Sequence, residues 1–104
     1  MSAVVVFSTF ARREVAAEVA RALVEERLAA CVSLAPGVTS IYRWNDAIEE
    51  SDEVLAIIKT TADRLDALRA RLVALHPYEL PEVIALPVAG GHAPYLAWID
   101  AQTR

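Results

Sequence analysis

The residues with the clearest potential for chemistry lie in one stretch, LHPYELPEVIALPV, residues 75 to 88. His76 offers an imidazole, the commonest metal-binding side chain in proteins, and Tyr78, Glu79 and Glu82 add a phenol and two carboxylates. One histidine does not make a soft-metal site, because zinc or copper usually takes about two to four ligands and oxygen groups suit them poorly. Two interpretations of His76 stay open: a metal ligand, or a cap or surface residue at a helix C-terminus, where an imidazolium is favoured.

Four other side chains offer further possibilities. Cys31 could act as a nucleophile or a soft metal ligand, but its apolar strand pattern predicts a small buried hydrophobe. Lys59 is the only lysine, and it either lines a cleft that holds an anion or carboxylate or extends its ammonium group to solvent. Tyr42 and Trp44 share one face of a predicted strand, where aromatic rings bind a ligand or fill a pocket on a neighbouring subunit.

The remaining polar signals are weak. An acidic run between residues 49 and 53 offers carboxylates that collect divalent cations weakly, although such runs usually form solvated strand or turn surface. The sequence contains no Walker loop and no G-x-G-x-x-G, G-x-S-x-G or H-E-x-x-H motif. These observations favour a protein without catalytic activity.

Composition limits the class of protein. The 104 residues predict one domain spanning residues 1 to 104, and the net charge of −4 with scattered arginines argues against nucleic-acid binding. No apolar run approaches the roughly 20 residues of a membrane span, and the N-terminus does not resemble a signal peptide. One cysteine fits a reducing cytoplasm, and an apolar share of 56% predicts a homo-oligomer that covers surplus apolar surface.

The first half of the chain predicts a strand, a helix and a long hairpin. AVVVFSTF, residues 3 to 10, is a β-branched run typical of a central strand buried on both faces. Residues 11 to 28 carry apolar side chains at helical spacing. Residues 29 to 44 and 47 to 60 predict two hairpin strands joined at Asn45-Asp46, with the first strand interrupted at Pro36-Gly37 by a bulge.

The second half predicts a helix, a strand and a short last helix. Thr60 with Asp63 predicts the helix N-terminus, and Pro77 ends the helix, which places His76 at its C-terminus. Residues 82 to 88, EVIALPV, predict another buried strand, and Pro94 starts a final short helix. The order βαββαβ with right-handed crossovers predicts an α+β, ferredoxin-like sheet with both main helices on one face and the other face open for association.

Four segments together carry a family resemblance: RLAACVSLAPGVTSIYRW, IEESDEVLAIIKT, HPYELPEVIALPV and YLAWI. Over residues 3 to about 101 the chain resembles the CutA family of divalent-cation tolerance proteins. The resemblance implies a ferredoxin-like protomer with a long hairpin, assembled as a tight homotrimer similar in plan to the PII signalling trimers. It also implies a role in tolerance to copper and other divalent ions without catalysis.

The resemblance implies a copper site only in part. The ligands proposed for such members are a cysteine at the end of the first strand and a His-His pair before Pro-Tyr, where this chain has Ser8 and Leu75-His76. Only His76 is retained. At the hairpin turn the family commonly has glycine, and this chain has Asp46, which can still form a turn after Asn45.

Three hypotheses of function follow. The first is a trimeric, non-enzymatic protein of metal-ion response, with His76 as a copper or other divalent-cation ligand and Cys31 as a weaker candidate. The second is a PII-like small-molecule binding or signalling trimer, whose cleft between subunits recognises an anion or metabolite through Tyr42, Trp44, Lys59 and Glu82, with Tyr78 beside them. The third is an architectural trimer that anchors a partner protein.

Overall fold

The computed structural model describes residues 2–104 and has four strands and three helices. The strands are β1 (Ala3–Phe10), β2 (Cys31–Trp44), β3 (Ala47–Thr61) and β4 (Ile84–Pro87). The helices are α1 (Arg13–Glu25), α2 (Leu65–Leu75) and α3 (Ala93–Gln102), and a 3-10 turn over Ala62–Arg64 precedes α2. The strands form one antiparallel sheet in the order β2-β3-β1-β4, so the predicted α+β, ferredoxin-like architecture is confirmed.

Strand β1 lies at the centre of this sheet. It pairs with β3 from Ala3 opposite Thr61 to Phe10 opposite Val54, and with β4 on its other edge. A run of β-branched residues suits such a position, because these side chains pack well on a pleated surface with neighbours on both sides. The predicted central position of the first strand is confirmed.

The main core lies between one face of the sheet and helices α1 and α2. Leu23 of α1 and Leu72 of α2 are 1% and 0% exposed, and they pack with Val6 of β1 and Ile58 of β3 in one cluster. Successive strand residues point to opposite faces, so Val4, Val6, Ser8 and Phe10 face the helices. Both main helices therefore cover the same face, as the element order predicted.

The other face of the sheet is covered at one end only. There α3 packs its buried Ile99 against Ala3 and Ala30. Further along, the last strand is not buried as predicted over residues 82 to 88: β4 spans Ile84–Pro87 and all four residues are exposed. As an edge strand it has β1 on one side alone, and its large side chains Ile84 and Leu86 pair with Phe7 and Val5 on the uncovered face.

The hairpin of β2 and β3 extends beyond the rest of the sheet. Asn45 and Asp46 both have positive φ, 50° and 63°, as a two-residue hairpin turn with the twist of its strands requires. Between Ala35 and Val38 the pairing register shifts by one residue, and Gly37 has φ 78°. The predicted turn and the predicted bulge at Pro36-Gly37 are both confirmed.

The N-terminus of the second helix differs from the prediction. Strand β3 continues to Thr61, and the hydroxyl of Thr60 donates a hydrogen bond of 2.7 Å to the backbone carbonyl of Leu28. Thr60 is therefore a buried strand residue and does not cap α2. The prediction was wrong because the pairing of β3 with β1 reaches Ala3 opposite Thr61, which keeps the chain extended past the capping pattern.

Candidate ligand-binding cleft

His76 is the first residue after α2, and it is buried rather than on the surface. Its backbone leaves helical geometry at φ −74° and ψ 133°, as expected before Pro77. The side chain is 7% exposed, and its ring stacks on Phe10 with a centroid distance of 4.2 Å and an interplanar angle of 14°. The predicted position at the helix end is confirmed, and the surface interpretation is wrong.

Both ring nitrogens of His76 are engaged in hydrogen bonds. The backbone N–H of Tyr78 donates to Nδ1 at 3.1 Å, and Nε2 lies 2.8 Å from the carbonyl oxygen of Thr9. A backbone N–H only donates and a carbonyl only accepts, so Nδ1 carries no proton and Nε2 does. His76 is therefore a neutral imidazole that ties the segment after α2 to the end of β1.

The surroundings of His76 favour this neutral form. Burial lowers the pKa of His76 below its usual range, because the imidazolium loses hydration there. The Thr9 carbonyl and the negative charge of Glu53 act in the opposite direction and only partly offset it. The ring is a structural link whose protonation would place a proton on Nδ1, facing the N–H of Tyr78.

Tyr78 is joined to β3 through a short hydrogen bond. Its hydroxyl donates to Oε2 of Glu53 at 2.6 Å, within the range of charge-assisted bonds. Burial, followed by this hydrogen bond, raises the pKa of Tyr78 well above its usual range. Glu53 is 9% exposed, so its carboxylate is held within the fold and aligned by the phenol.

Beside this pair lies a cleft of about 690 Å³, a size typical of small-molecule sites. One wall comes from the hairpin, where the hydroxyl of Tyr42 lies 2.8 Å from that of Ser51. The other wall comes from the segment between α2 and β4. Its charged and aromatic lining residues are Tyr42, Arg43, Trp44, Glu49, Glu53, Tyr78, Glu79 and Glu82.

Four of the predicted site residues line the cleft, and the others lie elsewhere in the fold. Tyr42, Trp44, Tyr78 and Glu82 all line it. Lys59 does not, since it lies six residues beyond Glu53 on β3, or roughly 20 Å at about 3.3 Å per residue. The role predicted for Lys59 concerns a cleft between subunits, so it stays a prediction.

Lys59 instead contacts the C-terminal helix. Its Nζ donates to the hydroxyl of Tyr95 at 3.2 Å and lies 5.4 Å from the centroid of that ring. This hydrogen bond raises the pKa of Lys59 above its usual range. Cys31 pairs with Lys59 across β2 and β3 and is half-buried, so the cysteine too lies away from the cleft.

Sequence analysis missed two carboxylates of the lining, because it treated the acidic run as solvated surface. Glu49 and Glu53 lie four residues apart on β3, and both line the cleft, whereas Glu50 and Asp52 between them do not. The signal was available in the alternation of the strand, because residues separated by an even number share a face. It could not indicate that another segment packs over that face.

Within residues 2–104 no group of three or more histidine, cysteine, aspartate or glutamate side chains converges closely enough to hold a metal ion. No helix in the described part of the chain is both long enough and apolar enough to cross a membrane.

The sheet, the extended hairpin and the cleft along it define a ferredoxin-like α+β protein with a small-molecule-sized site. Comparison with known proteins narrows this class. Residues 4–102 match the family of the CutA1 divalent ion tolerance protein, and the chain belongs to this CutA family.

Relatives from distant organisms support this assignment. The chain is 50% identical over 99 residues to the divalent-cation tolerance protein CutA of Thermus thermophilus, covering 95% of this chain and 96% of the relative. It is 52% identical to human Protein CutA over 94% of this chain, but spans only 55% of that longer protein. The crystal structure of CutA from Xylella fastidiosa superimposes with a TM-score of 0.97 at 44% identity, covering 100% of both chains.

Proposed function

We propose that this protein serves tolerance to divalent cations, copper among them, as a cytoplasmic homotrimer without catalytic activity. The observation that carries the proposal is the family match over residues 4–102, with relatives whose names describe tolerance to divalent cations and no reaction. The single free cysteine supports a reducing compartment.

The uncovered face of the sheet supports the trimer. Ile84 and Leu86 are 54% and 52% exposed, and beside them Phe7, Leu55 and Ile57 are only half-buried. A contiguous apolar surface of this kind is typical of an oligomer interface. We propose that other copies of the chain cover these five residues.

The folded chain does not fit a copper centre built on His76. A copper ion needs the lone pair of a ring nitrogen, and that of Nδ1 already accepts the N–H of Tyr78 while Nε2 carries the proton given to Thr9. Ser8, at the family's cysteine position, is fully buried on the core face. Binding through His76 would therefore require the segment after α2 to detach.

A growth assay tests the proposed function. Cells that lack their own copper-tolerance protein and produce this chain should grow at higher copper concentrations than cells carrying an empty vector. Production of an unrelated protein of similar size provides the control. Equal growth with and without the chain would contradict a role in copper tolerance.

A copper titration tests whether the effect is direct. For chelator-treated protein we expect no saturable Cu²⁺ site tighter than about 1 mM that depends on His76. The measurement compares wild type with His76→Asn, whose side-chain oxygen can accept the Tyr78 N–H, and with His92→Asn as the matched histidine control. Binding of one ion per chain that is lost only in His76→Asn would contradict this expectation and place copper at His76.

The cleft favours a second candidate function, the binding of a small molecule. Its volume of about 690 Å³ and its three aromatic rings match the usual anatomy of ligand sites, which combine apolar walls with a few polar groups. The tight link of Tyr78 to Glu53 and of His76 to Thr9 keeps one wall in place before any ligand arrives. Such preorganisation favours affinity.

A further inference from the structure

The charges of the cleft are strongly unequal. Four carboxylates line it, those of Glu49, Glu53, Glu79 and Glu82, against the one guanidinium of Arg43. The lone lysine, Lys59, is not among the lining residues and donates a hydrogen bond to Tyr95 of α3 instead. The potential inside the cleft is therefore negative, which disfavours an anionic ligand.

The aromatic lining of the cleft also favours a cationic ligand. Tyr42 and Trp44 are 38% and 37% exposed and line the same cleft as Tyr78. The faces of such rings carry partial negative charge and attract organic cations, with tryptophan the most effective. Rings and carboxylates together suit a ligand that has both a positive charge and apolar surface.

Glu53 supplies a fixed anchor among these groups. Glu53 as a residue is 9% exposed and lines the cleft, and one carboxylate oxygen accepts the Tyr78 hydroxyl at 2.6 Å. No further hydrogen bond reaches this carboxylate from residues 2–104. The second oxygen is free to accept a donor from a ligand, and an ammonium N–H is the donor whose charge compensates the buried carboxylate.

A bare metal ion fits this lining poorly. The carboxylates do not converge in groups of three in the described part of the chain, whereas Ca²⁺ takes about six to eight oxygen ligands. An organic ammonium ion needs only one or two carboxylates and uses the ring faces for the rest of its surface.

We propose that the cleft binds organic ammonium ions, with Glu53, Glu49 and Glu82 balancing the charge and Trp44 and Tyr42 contacting the alkyl groups. This inference rests on the small-molecule function and names its ligand class.

A set of shape-matched probes tests the class. Choline, its neutral carbon isostere 3,3-dimethylbutan-1-ol and the anion 3,3-dimethylbutanoate have similar size and differ in charge, and spermidine adds a longer cation. Titration calorimetry on the full-length protein at low salt should show saturable binding of choline or spermidine tighter than about 1 mM, with the alcohol at least about tenfold weaker and the anion not binding.

Paired variants locate the site. Glu49→Gln with Glu82→Gln should weaken cation binding at least about tenfold, since two balancing charges are lost. Glu50→Gln with Asp52→Asn removes the same net charge from the same strand region outside the cleft lining, and should change the affinity less than about twofold. Equal weakening by both pairs would overturn the site and indicate only general charge attraction.

The remaining outcomes separate the ligand class from the small-molecule function. Binding of the alcohol or the anion in preference to both cations, lost in Trp44→Leu, would overturn the ammonium class and keep a small-molecule cleft. Binding of none of the four probes would overturn the ammonium class.

Discussion

Two buried hydroxyl groups on the core face of the sheet differ in their hydrogen bonding. Ser8 and Thr60 are each 0% exposed. Thr60 donates to the Leu28 carbonyl at 2.7 Å, whereas the hydroxyl oxygen of Ser8 has no hydrogen-bond partner within residues 2–104. A buried polar group without a partner loses its hydration and gains nothing in return, so these residues contribute to stability with opposite signs.

Replacing Ser8 should therefore stabilise the protein. We expect Ser8→Ala to raise the free energy of unfolding by about 1 kcal/mol, because the unpaired hydroxyl is removed with little change in volume. Urea unfolding at a fixed protein concentration measures the change. Thr60→Val is the matched contrast, and should lower the free energy by about 1–3 kcal/mol by leaving the Leu28 carbonyl unpaired. A loss of stability in Ser8→Ala would show that the hydroxyl is satisfied in solution.

The buried imidazole of His76 makes stability depend on pH. Its pKa in the folded chain lies below the usual 6.5, so below about pH 6.5 the unfolded chain binds more protons than the folded one. The contribution of His76 is fully present above that pH. It is lost progressively as the pH falls from 6.5 through the folded pKa.

The lowered pKa of His76 predicts a measurable dependence of the free energy of unfolding on pH. The free energy of unfolding should fall between pH 7 and pH 5 in the wild type, and the part of the fall due to His76 should disappear in His76→Asn. His92→Asn, at the exposed start of α3, should retain the wild-type profile. The profile comes from urea denaturation at each pH, and identical profiles for all three proteins would refute the assignment to His76.

The sequence predicted the position of His76 at the end of α2, but it could not predict the hydrogen bonds of the imidazole ring. Pro77 fixes the end of α2 locally, but Thr9, which pairs with Nε2, lies 67 residues away in the chain. The same limit applies to Lys59, whose strand was predicted correctly while its neighbour Tyr95 was not. Contacts between distant segments depend on packing that local patterns do not encode.

At the scale of elements, β1, both main helices and the hairpin followed from periodicity and turn residues. The two errors concern ends and burial. Thr60 was predicted to cap the next helix although β3 continues past it to Thr61, and the strand over residues 82 to 88 was expected to be buried. An apolar pattern shows that residues avoid water, but it does not show whether the same chain supplies the cover.

The bulge in β2 depends on one glycine. Gly37 has φ 78°, and a Cβ built there would meet nothing within 4 Å, so a side chain at this position costs only backbone strain. We expect Gly37→Ala to lower the free energy of unfolding by about 1–2 kcal/mol. Gly90→Ala is the control, because that position has equally open surroundings without the positive φ, and it should be neutral or slightly stabilising. The measurement is chemical denaturation of both variants. Equal losses of stability in the two would contradict this expectation.

At the scale of the whole molecule, the uncovered apolar face predicts the assembly. Light scattering should give wild-type protein a mass three times that of one chain at micromolar concentration. The double variant Ile84→Arg with Leu86→Arg should dissociate, because two charges would enter an apolar interface. The control Val24→Arg with Val73→Arg changes two residues that are 41% and 47% exposed on helices α1 and α2, and it should remain trimeric. A monomeric wild type would refute the proposed assembly.

The bulge in β2, which absorbs one extra residue, also decides which side chains the hairpin tip presents on each face. Paired residues of neighbouring strands share a face of the sheet. Before the bulge, the β2 residues on the uncovered face are the odd-numbered Cys31, Ser33 and Ala35. After the bulge, Val38 pairs with Glu53 and Tyr42 with Glu49. Beyond Gly37 it is therefore the even-numbered residues that share that face. A regular strand that passed through Pro36-Gly37 without a bulge would instead place Ile41 and Arg43 on that face, in the positions of Tyr42 and Trp44. In this hairpin the bulge, as much as the chemistry of the side chains, determines where the aromatic wall of the cleft stands.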